Sequence, residues 1–144
     1  LQVAGLPPER LELELTESVI MQDIEQAAAK MTRLRDMGIS ISMDDFGTGY
    51  SSLSYIQRLP FESVKIDQAF VREIRLASDR PPLVGSIIGM AHALHKRVIA
   101  EGIETESQLQ ALIEMDCDIG QGYFLGRPAP PDTAGFTPAA GFAG

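Results

Sequence analysis

An α/β fold with parallel strands is the architecture these 144 residues predict. Three observations point to it. Short stretches of apolar–polar alternation or apolar run recur at residues 11–15, 39–43, 63–67 and 98–100. Between them lie longer stretches whose apolar residues recur at three- and four-residue spacing. Strands alternating with helices at this pitch are joined by crossovers, and crossover connections make parallel neighbours. About five such units are present, whereas a closed eightfold barrel takes about 250 residues. The pattern fits either a small doubly wound sheet or the later half of a barrel.

Each element has its own signal. Leu11, Leu13 and Leu15 fall on one face of the first strand, with Glu12 and Glu14 on the other. Asp23 is placed as an N-cap, and Gln26 three residues on completes a capping-box-like pair. Ile24, Ala27, Ala28, Met31 and Leu34 then mark a helical face, and Gly38 is placed to end it. The second strand runs into Asp44, and a short helix around 53–57 stops before Pro60. Ser63-Val64-Lys65-Ile66-Asp67 is the third strand. Leu83, Val84, Ile87, Ile88, Ala91 and Leu94 outline a long amphipathic helix, with Pro81 and Pro82 near its first turn. Val98-Ile99-Ala100 is the fourth strand and ends at Glu101-Gly102. Thr105 and Gln108 form a second capping box before Leu109, Leu112 and Ile113. A last short strand near 118–119 runs into Gly120-Gln121-Gly122-Tyr123. Ala, Gly and Pro dominate 131–144, which reads as a disordered tail behind one domain over 1–130.

Composition narrows the class of function. Hydrophobic residues make up 44% and charged residues 22%, as in soluble globular domains. No apolar run approaches the roughly 20 residues of a membrane span, and no signal-peptide pattern opens the chain. Leu1 stands where a natural start would carry Met, so the start reads as a cut. The formal net charge is −8, and the 12 Lys and Arg are scattered, which argues against a nucleic-acid polymer as partner. A small phosphate ligand stays compatible, because bound divalent metals invert the local charge. Cys117 is alone, so no disulfide forms within the chain, which suits a reducing compartment such as the cytoplasm. With one Cys and two His, any metal would be bound by oxygen and not in a zinc-type site.

Asp44 and Asp45 stand where a strand gives way to a glycine-bearing turn. Adjacent acids repel, so a fold that places two there supplies a cation or a donor for them. By itself the pair is equally well explained as an Asx turn or a helix N-cap. The other strand ends tip the balance. Glu14, Asp44, Lys65, Glu101 and Gln121 each lie at or just past the C-terminal end of an expected strand, the edge where parallel α/β folds gather functional groups. Several carboxylates and an amide without His or Cys specify a hard cation, Mg²⁺ or Mn²⁺. Asp44 could bridge two such ions, with Glu14, Asp45 and Glu101 completing the shells; two metals about 3.5–4 Å apart suit an in-line phosphoryl displacement. Lys65 would bring positive charge to the phosphate or the attacking water, or else pair with Asp67 or the acid cluster.

Glu14-Leu15-Thr16-Glu17-Ser18, Asp44-Asp45-Phe46-Gly47-Thr48-Gly49-Tyr50-Ser51-Ser52, Lys65-Ile66-Asp67, Glu101-Gly102-Ile103-Glu104 and Gln121-Gly122-Tyr123 resemble successive motifs of the EAL-domain cyclic-di-GMP phosphodiesterases. Order, spacing and residue type all match, over nearly everything before 131. The resemblance implies a (β/α)8 TIM-type barrel, with about its last five βα units in this chain. It implies hydrolysis of cyclic-di-GMP to linear pGpG with two Mg²⁺ or Mn²⁺ ions. Glu14, Asp44, Asp45 and Glu101 would be metal ligands, Lys65 would orient the nucleophilic water, and Glu104 and Gln121 would support metal or water. Glu17 would tie down the 45–52 loop, which in the family lies near the dimer contact, so the intact domain is expected to be a homodimer. Arg127-Pro128 resembles the family's ending after the last strand.

There is one large departure. The family's Glu-Ala-Leu motif and a metal-binding Asn, both expected ahead of Glu14, do not occur in these residues. The chain therefore reads as the C-terminal portion of an EAL domain, inactive alone, within a cytoplasmic parent whose membrane anchor, if it has one, would lie upstream. One alternative is a non-catalytic cyclic-di-GMP-binding signalling module, against which stands the presence of every ligand expected in this stretch. A receiver-like doubly wound domain fits poorly, because Asp44-Asp45 and Lys65 are only one βα unit apart.

Overall fold

The computed structural model describes residues 5–44, 46 and 56–130, and its five strands form one parallel sheet. The strands are β1 (Glu12–Thr16), β2 (Ser40–Asp44), β3 (Ser63–Ile66), β4 (Arg97–Ala100) and β5 (Ile119–Gly120). They lie side by side in chain order. That order separates the two architectures left open by the sequence. Crossovers between parallel strands are right-handed, so adding every strand at the same edge puts every helix on the same face. A doubly wound sheet must reverse direction at a switch point. This sheet does not reverse, and it is an arc of a (β/α)8 barrel.

The helices are α1 (Glu17–Gln22), α2 (Ile24–Asp36), α3 (Gln68–Val71), α4 (Pro82–Ala93) and α5 (Glu106–Glu114). Strand parity sorts the side chains of β1 to β3, while in β4 the inner-face position level with Lys65 is the buried Ile99. Ile41, Met43, Val64, Ile66, Val98 and Ala100 join one buried cluster with Met31, Val71, Val84, Ile87, Ile88, Ala91, Ala111 and Leu112. Each large aliphatic side chain buried there contributes about 1.5–3 kcal/mol. The alternate positions, Glu12, Glu14, Ser42, Ser63 and Lys65, share the other, inner face.

Helix ends follow the expected chemistry, with two differences. The Asp23 carboxylate accepts from Gln26 N at 3.0 Å, but the Gln26 side chain turns to Lys30, so only half the expected box forms. The Thr105–Gln108 box is complete. Gly38 N donates to Arg35 O at 2.8 Å where α2 ends. After α4 and α5, His95 (φ 57°) and Asp116 (φ 61°) occupy the left-handed position that glycine commonly fills. Neither α1 nor α3 is expected from periodicity. The Asp67 carboxylate caps α3 by accepting from Ala69 N at 2.6 Å, while α1 has no side-chain cap.

Of the expected helix at 53–57 only residues 56 and 57 are described, and the expected tail at 131–144 lies outside the described residues. Among the described residues, no helix is long and apolar enough to cross a membrane.

Candidate active site at the strand ends

The register sets the heights of the polar groups. Thr16 is level with Asp44, Met43 with Val64, Lys65 with Ile99 and Ala100 with Gly120. One step beyond these pairs, Asp44 and Lys65 stand at one height, and Glu101 and Gln121 at the next. Backbone pairing carries past the last two strands: Glu101 N donates to Ile66 O at 3.1 Å, and Gln121 N to Ala100 O at 2.9 Å. Both side chains therefore leave a fixed backbone.

Two glycines make this edge possible. A Cβ at Gly122 would lie 2.2 Å from both the N and the O of Ile103, so no side chain fits there. Gly102 has φ +69°, and a Cβ on it would meet Gln68 Cβ at 2.5 Å.

Lys65 is the centre of the arrangement. It is 5% exposed, and its Nζ lies 2.6 Å from Glu14 Oε1 and 2.5 Å from Glu101 Oε1. Glu14 is two strands away, on β1, and Glu101 follows the neighbouring β4, so the Lys65 ammonium bridges acids from both sides of β3. Burial pulls the Lys65 pKa down, but the hydrogen bonds and charges of Glu101 and Glu14 outweigh it and hold the pKa above its ordinary value. Lys65 is thus a charged donor at neutral pH and not a proton acceptor. It pairs with the acid cluster; Asp67 is engaged in capping α3. Gln121 Nε2 donates to the same Glu101 Oε1 at 2.9 Å.

The remaining expected residues divide. Asp44 closes β2 and is half-buried, and Glu17 is buried at the start of α1. Glu104 Oε1 lies 3.5 Å from an Arg72 guanidinium nitrogen, while its backbone N–H is held by Gln108 Oε1 at 2.8 Å. Asp45 and most of the 45–52 loop lie outside the described residues.

The donors are carboxylate and amide oxygens, a set whose chemistry fits a hard divalent cation. Ser42 Oγ, fully buried level with Glu14, has no hydrogen-bond partner among the described residues, so the inner face carries an unmet polar demand at that height. Among the described residues no three acidic side chains already converge on one point; Glu14 and Glu101 converge on the Lys65 ammonium.

Beside this cluster opens a pocket of about 700 Å³, lined among others by Arg72, Glu101, Glu104, Gln121, Tyr123 and Arg127. The Arg127 guanidinium lies over the Tyr123 ring at 4.6 Å. Sequence reasoning missed Arg72, an exposed residue at the end of α3 with no motif of its own.

Comparison with known proteins matches this geometry to a family. The EAL domain family model matches residues 1–128. The chain is 46% identical over 130 residues to the cyclic di-GMP phosphodiesterase NbdA of Pseudomonas aeruginosa, covering 90% of this chain and 17% of that protein. The structure of the PaMucR phosphodiesterase in complex with c-di-GMP superposes with a TM-score of 0.85 at 42% identity, over 92% of this chain and 53% of that one. The Klebsiella pneumoniae BlrP1 manganese/cy-diGMP complex gives 0.78 at 32% identity, over 90% and 33%. The chain thus spans about half of the MucR phosphodiesterase chain and under a fifth of NbdA.

Proposed function

This chain belongs to the EAL domain family, and from that premise we propose that it supplies the later strand ends of a metal-dependent cyclic-di-GMP phosphodiesterase site. The observation that supports this most is the Lys65 ammonium held between Glu14 and Glu101, with Gln121 fixed on the same glutamate oxygen. Glu14, Asp44, Asp45 and Glu101 hold Mg²⁺ or Mn²⁺, which when bound stabilises charge building on the phosphoryl oxygens.

The protein's own groups do the positioning. Two of the three Lys65 N–H donors are engaged by Glu14 and Glu101, and the third orients the attacking water. Gln121 fixes the rotamer of Glu101, and Glu104 offers a second acceptor to the water. The water oxygen bonds to phosphorus, the P–O3′ bond breaks, and the proton ends on the 3′ oxygen, giving pGpG. Glu17 ties down the 45–52 loop, through which two copies pair as a homodimer. The site works in the cytoplasm.

These 144 residues contain no Glu-Ala-Leu tripeptide, and alone they turn over no cyclic-di-GMP. The test is chromatographic detection of pGpG with Mn²⁺, using the 144-residue chain and the complete EAL domain that carries it. Product from the complete domain only is the expected result. Binding by the complete domain without product would make it a cyclic-di-GMP-binding signalling module, and turnover by the chain alone would show that the missing motif is dispensable.

A further inference from the structure

Two guanidiniums, those of Arg72 and Arg127, line the pocket that also receives Glu101 and Gln121. Neither belongs to the carboxylate–lysine cluster. Among the described residues Arg72 pairs with Glu104 alone, at 3.5 Å, with both side chains about half exposed (57% and 48%), the kind of pair that solvent screens and a better anion displaces. Arg127 is different: its guanidinium lies 4.6 Å over the Tyr123 ring, and both residues are exposed at the rim. Planar guanidinium matches a phosphate in two-pronged fashion, which a lysine cannot do.

A cyclic dinucleotide carries two phosphodiesters, and hydrolysis to pGpG consumes one. The other must rest near Glu14, Asp44, Glu101 and Glu104, acids that repel it unless cations are supplied. We propose that Arg72 and Arg127 hold this second, non-reacting phosphodiester, so that Arg72 gives up Glu104 on binding and distinguishes a dinucleotide from a single phosphodiester. The inference rests on the phosphodiesterase reading above.

The test uses the complete EAL domain carrying this chain, as wild type, Arg72→Ala, Arg72→Lys and Arg127→Ala. Cyclic-di-GMP binding is measured by calorimetry in EDTA, and hydrolysis with Mn²⁺ on cyclic-di-GMP and on bis(p-nitrophenyl) phosphate, which has one phosphodiester. Arg72→Ala and Arg127→Ala each weaken cyclic-di-GMP binding and raise its KM about tenfold. Their kcat stays within about twofold, and the single-phosphodiester substrate is unaffected. Arg72→Lys, which keeps charge and fold, recovers part of the affinity. Unchanged cyclic-di-GMP affinity in Arg72→Ala overturns the proposal. So does an equal fall of kcat on both substrates, the signature of an arginine that acts only by supporting Glu104. A domain that binds cyclic-di-GMP through Arg72 yet hydrolyses neither substrate refutes the phosphodiesterase reading and sustains this one.

Discussion

Lys65 and Glu101 are joined ammonium to carboxylate at 2.5 Å, in a position that leaves the lysine 5% exposed. A buried ammonium is costly to strand by removing its carboxylate partner, because the remaining charge is left without compensation. The same lysine also sits where carboxylates gather that have the chemistry to bind a cation, so under the proposed function it would compete with metal while it steadies the ligands.

That dual position predicts that Asp44→Asn and Lys65→Ala fail differently in the complete domain. Asp44→Asn removes charge from an all-oxygen site, so metal affinity and rate fall together. Lys65→Ala removes a competing cation, so Mn²⁺ affinity stays or tightens while kcat falls about 10²–10³-fold. Calorimetric Mn²⁺ titration beside steady-state hydrolysis separates the two. Equal loss of metal affinity in both variants would make Lys65 a structural member of the acid cluster.

Cys117 gives a pH signature. Burial, chiefly, pushes its thiol from an ordinary 9.0 up to about 11. The unfolded chain ionises first, so between pH 9 and 11 unfolding is favoured as pH rises, by up to about 1.4 kcal/mol per pH unit. Below pH 9 the thiol is neutral in both states and contributes no slope. Urea midpoints of wild type and Cys117→Ala across pH 8 to 11 should diverge only in the upper range. Parallel curves would mean that the thiol is accessible.

Asp116, left-handed at φ 61°, closes α5 by placing Cys117 N on Leu112 O at 3.0 Å. Glycine reaches that conformation without the Cβ penalty, so Asp116→Gly should stabilise by about 0.5–1 kcal/mol. A higher denaturation midpoint at unchanged slope is the readout. A lower midpoint would show that the Asp116 side chain contributes more than its backbone costs.

The outer edges of β1 and β5 have no strand partner among the described residues. Open parallel edges pair with other chains, so the 144-residue chain should form oligomers or aggregates in light scattering. A clean monomer with a sharp melt would mean that residues outside those described cover the edges.

The sequence already revealed much of the site, because strand side chains repeat with period two. Glu14, Asp44 and Lys65 could be placed on one face, and Glu101 and Gln121 just beyond, from alternation and turn residues alone. Strand order could not be read, since periodicity within a strand says nothing about the edge the next strand joins. Nor could α1 and α3: each is too short to show a helical period, and Asp67 reads equally as the end of β3 or as a cap. Arg72 was hidden for another reason, as its place in the pocket depends on loops after β4 and β5 that are remote in the chain.

The parity that splits β3 into Val64 and Ile66 on one side and Ser63 and Lys65 on the other also governs how this sequence can drift. Inherited substitutions that swap one aliphatic residue for another among Ile41, Met43, Val64 and Ile66 act on packing and leave the chemistry alone. Insertions and deletions have no such latitude. A one-residue slip in β3 would drive the Lys65 ammonium into the apolar layer and put valine or isoleucine between Glu14 and Glu101, removing fold and chemistry at one stroke. Lineages of this chain should therefore tolerate many exchanges in the strands but almost no change in their length.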